Sequence, residues 1–405
     1  MANFVQLYKS TDLNAPTLSG TAGELTTLLD AVLVNGYTTA SVTSIVEASL
    51  TYTVTLAVAN STLVVGDKIK FSGASPAGIN DVWTIASITS TTIFTFTGPG
   101  GLGAITGTIL YRKAPLGWTI PSLGGTNPGT NVRVYRSADT DSNRYYLRVD
   151  DSNVLAPGAS RAFIYGYETM TDINTGDFRF PTASQALAWA ISSLVVFKSQ
   201  GAGSTQRPWQ IVGDDKTFYM FTEPNGINNN SFNCHWGFGH YPSYRPGDNY
   251  NTMIFGATVI SDTQATGSYG LMYINASGTA TFSGTTFSPK STSQVGSSSY
   301  IAFWGNVASI THGAFTYPNL ADGASWMFPL YIVDSSNNST LSLTIRGRCP
   351  GVYTSASTLQ AMGNITHGDQ FTGFTGISSH KVICLTSNVN GSVGKIFIDI
   401  TGPWT

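Results

Sequence analysis

Thr51-Tyr52-Thr53-Val54-Thr55-Leu56 alternates hydroxyl and apolar side chains at every step, and Thr92-Ile93-Phe94-Thr95-Phe96-Thr97 does the same further along. A period of two puts Tyr52, Val54 and Leu56 on one face of a strand and the threonines on the other. Between these runs lie a Val65-Gly66-Asp67 turn, the strand Lys68-Ile69-Lys70-Phe71 and the strand Val82-Trp83-Thr84-Ile85-Ala86-Ser87-Ile88. Gly98-Pro99-Gly100-Gly101 closes the series. Short strands separated by turn signals predict a small β-barrel or sandwich over 41–112. Gly36-Tyr37 before it and Leu116-Gly117-Trp118 after it read as one segment interrupted, so 41–112 has the character of an insertion.

Outward from this module the pattern changes only briefly. Thr21-Ala22-Gly23-Glu24 has the form of a capping box, and Leu25, Leu28, Leu29, Val32 and Leu33 follow at helical spacing before an Asn35-Gly36 stop. The expectation is an amphipathic helix at about 22–34. A second is expected at about 183–197, from Thr182-Ala183-Ser184-Gln185 after Pro181 and the stripe Leu187, Ala190, Ile191 and Leu194. Val132–Ser137 and Arg144–Val149 form a predicted hairpin. So do Gln210–Gly213 and Lys216–Thr222, around Asp214-Asp215. From 231 onward only strands and Ser/Gly/Thr-rich connections are found, with no fixed repeat of the kind that marks a solenoid or propeller. The expected fold is mainly β, with β-sandwich or barrel-like domains and two short amphipathic helices. Its parts are an N-terminal arm and helix (1–40) continuous with the main body, the inserted module (41–112), an α+β part (113–230) and an all-β C-terminal part (231–405).

The 405 residues include only 10% charged side chains, against about 25% in ordinary soluble proteins. Yet 41% are hydrophobic and 12% aromatic, enough for a large core. Four glutamates (Glu24, Glu47, Glu168 and Glu223) are all the chain contains, which argues for sheet over exposed helix. A surface of Ser, Thr, Asn and Gly has little electrostatic protection against association, so a component of an assembly is expected. The 20 Lys and Arg are scattered and balanced by 22 acids, for a net charge of −2. No nucleic-acid partner is expected, since the basic stripe such binders carry is missing. Arg346-Gly347-Arg348, two arginines flanking a glycine, reads as an exposed turn. No apolar run reaches membrane-spanning length, so no membrane insertion is expected. The N-terminus lacks the pattern of a signal peptide, which predicts assembly in a cytoplasm. Cys234, Cys349 and Cys384 are odd in number and have no metal spacing, so buried free thiols are expected.

Several motifs could carry chemistry. Asp139-Thr140-Asp141-Ser142-Asn143 begins like a calcium loop, but Arg144 stands where that loop needs glycine; a solvated hairpin turn is expected. His235 and His240 in Cys234-His235-Trp236-Gly237-Phe238-Gly239-His240 do not have the spacing of a zinc helix and read as a packed loop. His367-Gly368-Asp369 could be half of a dyad, though no nucleophile elbow accompanies it. Glu168 and Asp172, beside Tyr165 and Tyr167, could serve glycan cleavage, which needs two nearby carboxylates; a core ring with an exposed neighbour is the plainer reading. No catalytic residue, metal or cofactor is expected.

Beyond the module, Lys9-Ser10-Thr11-Asp12, Ala15-Pro16-Thr17-Leu18-Ser19-Gly20, Val34-Asn35-Gly36-Tyr37, Val134-Tyr135-Arg136-Ser137 and Tyr146-Leu147-Arg148-Val149-Asp150-Asp151 form part of a pattern. It continues through Gly166-Tyr167-Glu168-Thr169-Met170-Thr171-Asp172, Arg207-Pro208-Trp209, Val212-Gly213-Asp214-Asp215-Lys216-Thr217-Phe218-Tyr219, Tyr244-Arg245-Pro246-Gly247-Asp248, Arg346-Gly347-Arg348 with Pro350-Gly351, and Phe397–Trp404. The whole resembles a family of structural proteins of tailed bacteriophages. The 41–112 module resembles a β-unit that recurs in phage virion and bacterial surface proteins. The resemblance implies a virion location, no enzymatic activity, and partners among other virion proteins and copies of the same chain. The expected role is in the tail tip, baseplate or fibre anchor. Alternatives are a capsid decoration protein, or a tail module binding a host surface glycan or receptor. Tyr241, Tyr244 and Tyr250 are expected as exposed interface or glycan contacts. The N-terminal arm and Gly402-Pro403-Trp404 are expected as docking segments, with Trp404 the anchoring side chain.

Overall fold

The computed structural model of the chain describes residues 4–152, 160–185, 194–201, 203–226, 232–257, 270–275, 280–283, 285–304, 327–337, 340–355, 365–375, 377–389 and 392–404. The fold is mainly β, 51% strand and 5% helix, with large antiparallel sheets in a sandwich-like half-barrel arrangement and, among the described residues, one short helix.

Strand β1 (Gln6–Lys9) comes first, and helix α1 (Glu24–Leu29) runs directly into a wider π turn, Asp30–Asn35. Leu25, Leu28, Leu29, Val32 and Leu33 are all fully buried, as their spacing predicts. The predicted capping box does not cap the helix. The cap position falls on Gly23, with no side-chain cap bond. The Leu25 amide donates instead to the Asp151 carboxylate at 2.8 Å, and the Gly23 amide donates to the Asp151 carbonyl at 3.1 Å. A carboxylate is a stronger acceptor than a threonine hydroxyl and suits the positive end of a helix. Asp151 is itself paired with Lys198, which donates to the Thr21 carbonyl at 2.7 Å; both charged side chains are fully buried.

Six strands then close a barrel: β2 (Tyr37–Ala48), β3 (Thr51–Leu56), β4 (Lys68–Ser75), β5 (Val82–Ser90), β6 (Ile93–Thr97) and β7 (Thr106–Lys113), in the order β2-β3-β6-β5-β4-β7. Tyr52, Val54, Leu56, Ile69, Phe71, Phe94 and Phe96 fill the interior, with Tyr52 stacked on Phe96 at 4.9 Å. The first and last strands pair, with Tyr37 opposite Lys113. Gly36 turns the chain into the barrel at φ 74°, and a β-carbon there would stand 2.4 Å from the Lys113 carbonyl oxygen, so this is a glycine position. Below the barrel, the Lys113 ammonium meets Asp12 at 2.8 Å and Asp67 at 3.6 Å. The Tyr37 hydroxyl donates to Asp12 at 2.6 Å, and the Lys68 amide donates to the Gln6 side chain at 2.8 Å. The burial that raises the Asp67 carboxyl is opposed by Lys113, while the two carboxylates outweigh burial at Lys113 and hold its ammonium above the usual lysine range.

A six-stranded sheet follows: β8 (Trp118–Thr119), β9 (Val132–Ser137), β10 (Tyr146–Asp150), β11 (Ser160–Met170), β12 (Gly176–Phe180) and β13 (Leu194–Ser199). Its order is β12-β11-β10-β9-β8, with β13 also paired to β11. The predicted hairpin is β9–β10. The second predicted helix is corrected in its last turn. Residues 194–197 belong to β13, where Leu194–Phe197 pair with Arg161–Ile164 and are buried throughout. A short apolar run buried on both faces has no periodicity that separates helix from strand. The reciprocal bonds between Thr182 and Gln185 are present, at 2.8 and 3.3 Å; residues 186–193 lie outside the described residues.

The largest sheet holds β14 (Trp209–Gly213), β15 (Thr217–Thr222), β16 (Cys234–His240), β17 (Thr252–Gly256), β18 (Gly270–Asn275), β19 (Ala280–Ser283), β20 (Thr285–Ser288), β21 (Ser299–Trp304), β22 (Met327–Asn337), β23 (Thr340–Ser355), β24 (Gln370–Phe371), β25 (Val382–Val389) and β26 (Ser392–Asp399). The order is β1-β14-β15-β16-β17-β20-β21-β22-β23-β26-β18-β19, with β25 and β24 alongside β26. The sheet runs across position 231, since β15 pairs with β16 from Thr217 opposite Gly239 to Thr222 opposite Cys234. Asp214 makes the predicted β14–β15 turn by accepting the Lys216 and Thr217 amides at 2.8 and 2.7 Å. The central strands are buried on both faces. Ile211, Phe218, Met220 and Trp236 pack toward α1, and Val212, Tyr219, Phe221 and Phe255 pack toward the C-terminal strands.

Candidate functional site

The expected contact residues separate sharply by environment. Tyr241 is fully buried, which corrects its expected exposure: its ring lies 5.7 Å from the Arg346 guanidinium. Trp404 is also buried, which corrects its expected docking role. Its indole N–H donates to the Asp399 carbonyl at 3.0 Å, and its ring lies 5.4 Å from Tyr219. It lies over Gly351, where a β-carbon would come within 2.2 Å of the indole. The N-terminal arm is likewise internal, with β1 hydrogen-bonded to β14. Tyr250 is half-buried under Lys290, whose ammonium donates to its hydroxyl at 3.0 Å and lies 4.3 Å from its ring. Tyr244, 55% exposed, does face solvent.

Arg346 explains why the aromatic stretch 241–251 folds as it does. It is a buried residue of β23, not an exposed turn, so that expectation is corrected. Its guanidinium donates to Asp248 through Nε and Nη2 at 2.9 and 3.0 Å, and to Ser288 Oγ, the Lys290 carbonyl and the Tyr250 carbonyl at 3.1, 2.5 and 3.1 Å. Ser243 and the Tyr244 amide close the loop around it. Burial acts to lower the Arg346 pKa and to raise that of Asp248, but the pairing outweighs it: Arg346 is raised, with Tyr241 contributing, and Asp248 is lowered.

The candidate catalytic groups do not converge. His367 Nδ1 accepts the Thr386 amide at 3.0 Å and its Nε2 faces Gln210 at 3.2 Å, whereas Asp369 accepts from Thr366 at 2.6 and 2.9 Å. His235 and His240 lie on strand β16 rather than in a loop, which corrects that expectation; the glycines between and beside them fit because Gly237 is packed against Phe218 and Phe255 and Gly239 against Lys216 and Thr217. Burial lowers His235, His240 and His367 to about 4. Glu168 sits on β11, its carboxyl raised by burial and eased by Lys290, and Asp172 caps its own turn through the Asn174 and Thr175 amides. Asp139 accepts the Asp141 amide at 2.6 Å within the β9–β10 connection. Among the described residues no group of three or more His, Cys, Asp or Glu is placed to hold a metal ion. Cys234, Cys349 and Cys384 are buried free thiols, raised by burial, Cys349 and Cys384 to about 12.

Two surfaces stand out instead. On the barrel, outward positions of β2, β3, β6 and β5 present Ser44, Val46, Thr51, Thr53, Thr55, Ile93, Thr95, Thr97 and Ser87, all uncharged and exposed or half-buried. Val46, Leu50, Val58 and Val65 there are each at least 50% exposed. On the β9–β12 sheet, register aligns Arg136, Tyr146, Tyr167 and Arg179 in one row and Val134, Arg148 and Tyr165 in the next; Tyr167 and Val134 are buried and the others half-buried. Spacing alone shows alternation in these strands; that arginines and tyrosines become neighbours follows only from the register. No protein-family model and no curated protein matches the chain.

Proposed function

We propose that the chain is a structural component of a tailed-phage virion, at the tail tip, baseplate or fibre anchor, acting through contacts between subunits. The observation that carries this reading is the outer face of β2, β3, β6 and β5 on the barrel. Hydroxyl and aliphatic groups without charge, on a closed barrel braced by a buried ion cluster, suit a surface covered by a neighbour. Strand edges are absorbed by barrel closure, so contact there goes through side chains rather than through added strands. The test is mass spectrometry of purified particles followed by cryo-electron microscopy. The expected result is a low copy number, a small multiple of three or six, with density for the barrel against another subunit. Hundreds of copies on the head favour a capsid decoration protein, and absence from mature particles overturns the proposal.

A further inference from the structure

The geometry points to a binding site for an acidic polysaccharide on the outer face of the β9–β12 sheet. This site does not depend on the scaffold role proposed above. The first row, Arg136–Tyr146–Tyr167–Arg179, crosses four strands through direct register partners, and the second adds Arg148 beside Tyr165. The Arg136 guanidinium lies 4.7 Å from the Tyr146 ring, and Arg148 and Arg179 each lie 5.3 Å from the Tyr165 ring. Backbone carbonyls fix these planes. Arg136 Nε donates to Arg144 at 2.5 Å, Arg148 Nε to Ile173 at 2.8 Å and Arg179 Nε to Pro181 at 3.0 Å. The arginines are therefore held in place before any ligand arrives, which lowers the ordering cost of binding.

Arg136, Tyr146, Arg148, Tyr165 and Arg179 are all half-buried. Val134 and Tyr167 are covered, buried in one cluster with Met170 and Ile173, so the accessible surface is Arg136 with Tyr146 on one side and Arg148 and Arg179 about Tyr165 on the other. Arg144 flanks it and, with burial the larger cause, lowers the Arg136 pKa. In a chain with 10% charged residues, these three arginines with Arg144 beside them form a local positive field. Two carboxylates lie among them: Asp150, 3.2 Å from Arg148, and Asp177, opposite Thr169.

This mixture selects the ligand. Tyrosine rings offer flat apolar surface for the C–H faces of sugar rings, and guanidinium forks match carboxylates or sulfates. Asp150 and Asp177 can accept from sugar hydroxyls. A nucleic acid would also stack on the tyrosines, but it carries a phosphate at every residue and would meet these two carboxylates. A polysaccharide with spaced acidic groups avoids that repulsion, so it is the occupant we infer.

The test uses the full-length chain with polygalacturonate, alginate and hyaluronan as probes, neutral dextran and oligothymidylate as comparators, and calorimetry or fluorescence as readout. At least one acidic polysaccharide should bind, dextran should not, and affinity should fall with added salt. Replacing Arg136 and Arg179 together by Gln should weaken binding by about tenfold or more while leaving the melting temperature near that of the parent. Should the double variant not fold, Arg136→Lys serves, since it keeps the charge but loses the planar fork; binding should still weaken. The site is refuted if no acidic polysaccharide binds, if the folded variants bind as tightly as the parent, or if oligothymidylate binds more tightly than every polysaccharide.

Discussion

Arg346 and Asp248 meet through two hydrogen bonds, at 2.9 and 3.0 Å, between side chains that are both fully buried. They are 98 positions apart, so the pair fastens the loop after β16 onto β23. Removing Arg346 leaves the Asp248 carboxylate buried without its cation. Arg346→Met is expected to cost about 3–5 kcal/mol in urea unfolding. Arg346→Lys should also destabilise, because an ammonium cannot reproduce the fork. Arg346→Met with Asp248→Leu should recover part of the loss. Recovery stays partial because the Tyr250 and Lys290 carbonyls lose their donor.

Asp151 caps α1 from a distance and balances Lys198. Asp151→Ala should therefore remove a helix cap and isolate a buried ammonium at once, at a cost of about 3–5 kcal/mol. Hydrogen exchange at the Leu25 amide should accelerate. Thr21→Ala, by contrast, should change stability little, since the Thr21 side chain makes no cap bond to the helix. A large effect of Thr21→Ala and none of Asp151→Ala would reverse this assignment.

Asp12 holds both Lys113 and Tyr37 where the barrel joins the body. Asp12→Asn should weaken that joint by about 1–3 kcal/mol while leaving the barrel interior intact. Exchange should rise at the Lys68 amide, which is bonded to Gln6 across the joint. It should stay low at Val54, inside the β3–β6 ladder.

His235 gives a pH signature. It is buried beside Phe221, at 5.0 Å between rings, and burial lowers its pKa to about 4. An unfolded imidazole takes up its proton near pH 6.5. Between those two values the unfolded chain binds more protons, so stability falls as pH drops. The slope from this one group is at most about 1.4 kcal/mol per pH unit. Comparing urea midpoints at pH 7.5 and 5, the parent should lose more stability on acidification than His235→Gln. Equal losses would remove His235 as a source.

The strand alternation of 51–56 and 92–97 made the barrel readable, because one face of each of its strands meets water. The leucine stripe of α1 was legible for the same reason. Residues 194–197 were not, since a strand buried on both sides has no polar beat to reveal it. Arg346 was misread because its partner lies 98 positions away, and sequence shows a charge without its neutralising mate. Tyr241 and Trp404 were misplaced by the same limit: an aromatic near turn residues looks available until a distant strand covers it. The Arg/Tyr strip needed the pairing register, which no single strand encodes.

One last consequence follows from Tyr37 standing opposite Lys113 on adjacent strands. The polypeptide departs from the body and returns within one interstrand spacing, about 5 Å. Whatever occupies the span between those two positions can be swapped for a different cassette without rerouting the sheets beneath it. The contacts that the span makes with its base would have to be matched: Thr62 to the Leu13 amide, Lys68 to Gln6 and Asp67 to Lys113. The joint thus constrains evolution at a few contacts close to the base and leaves the shape and length of the projecting part free to vary.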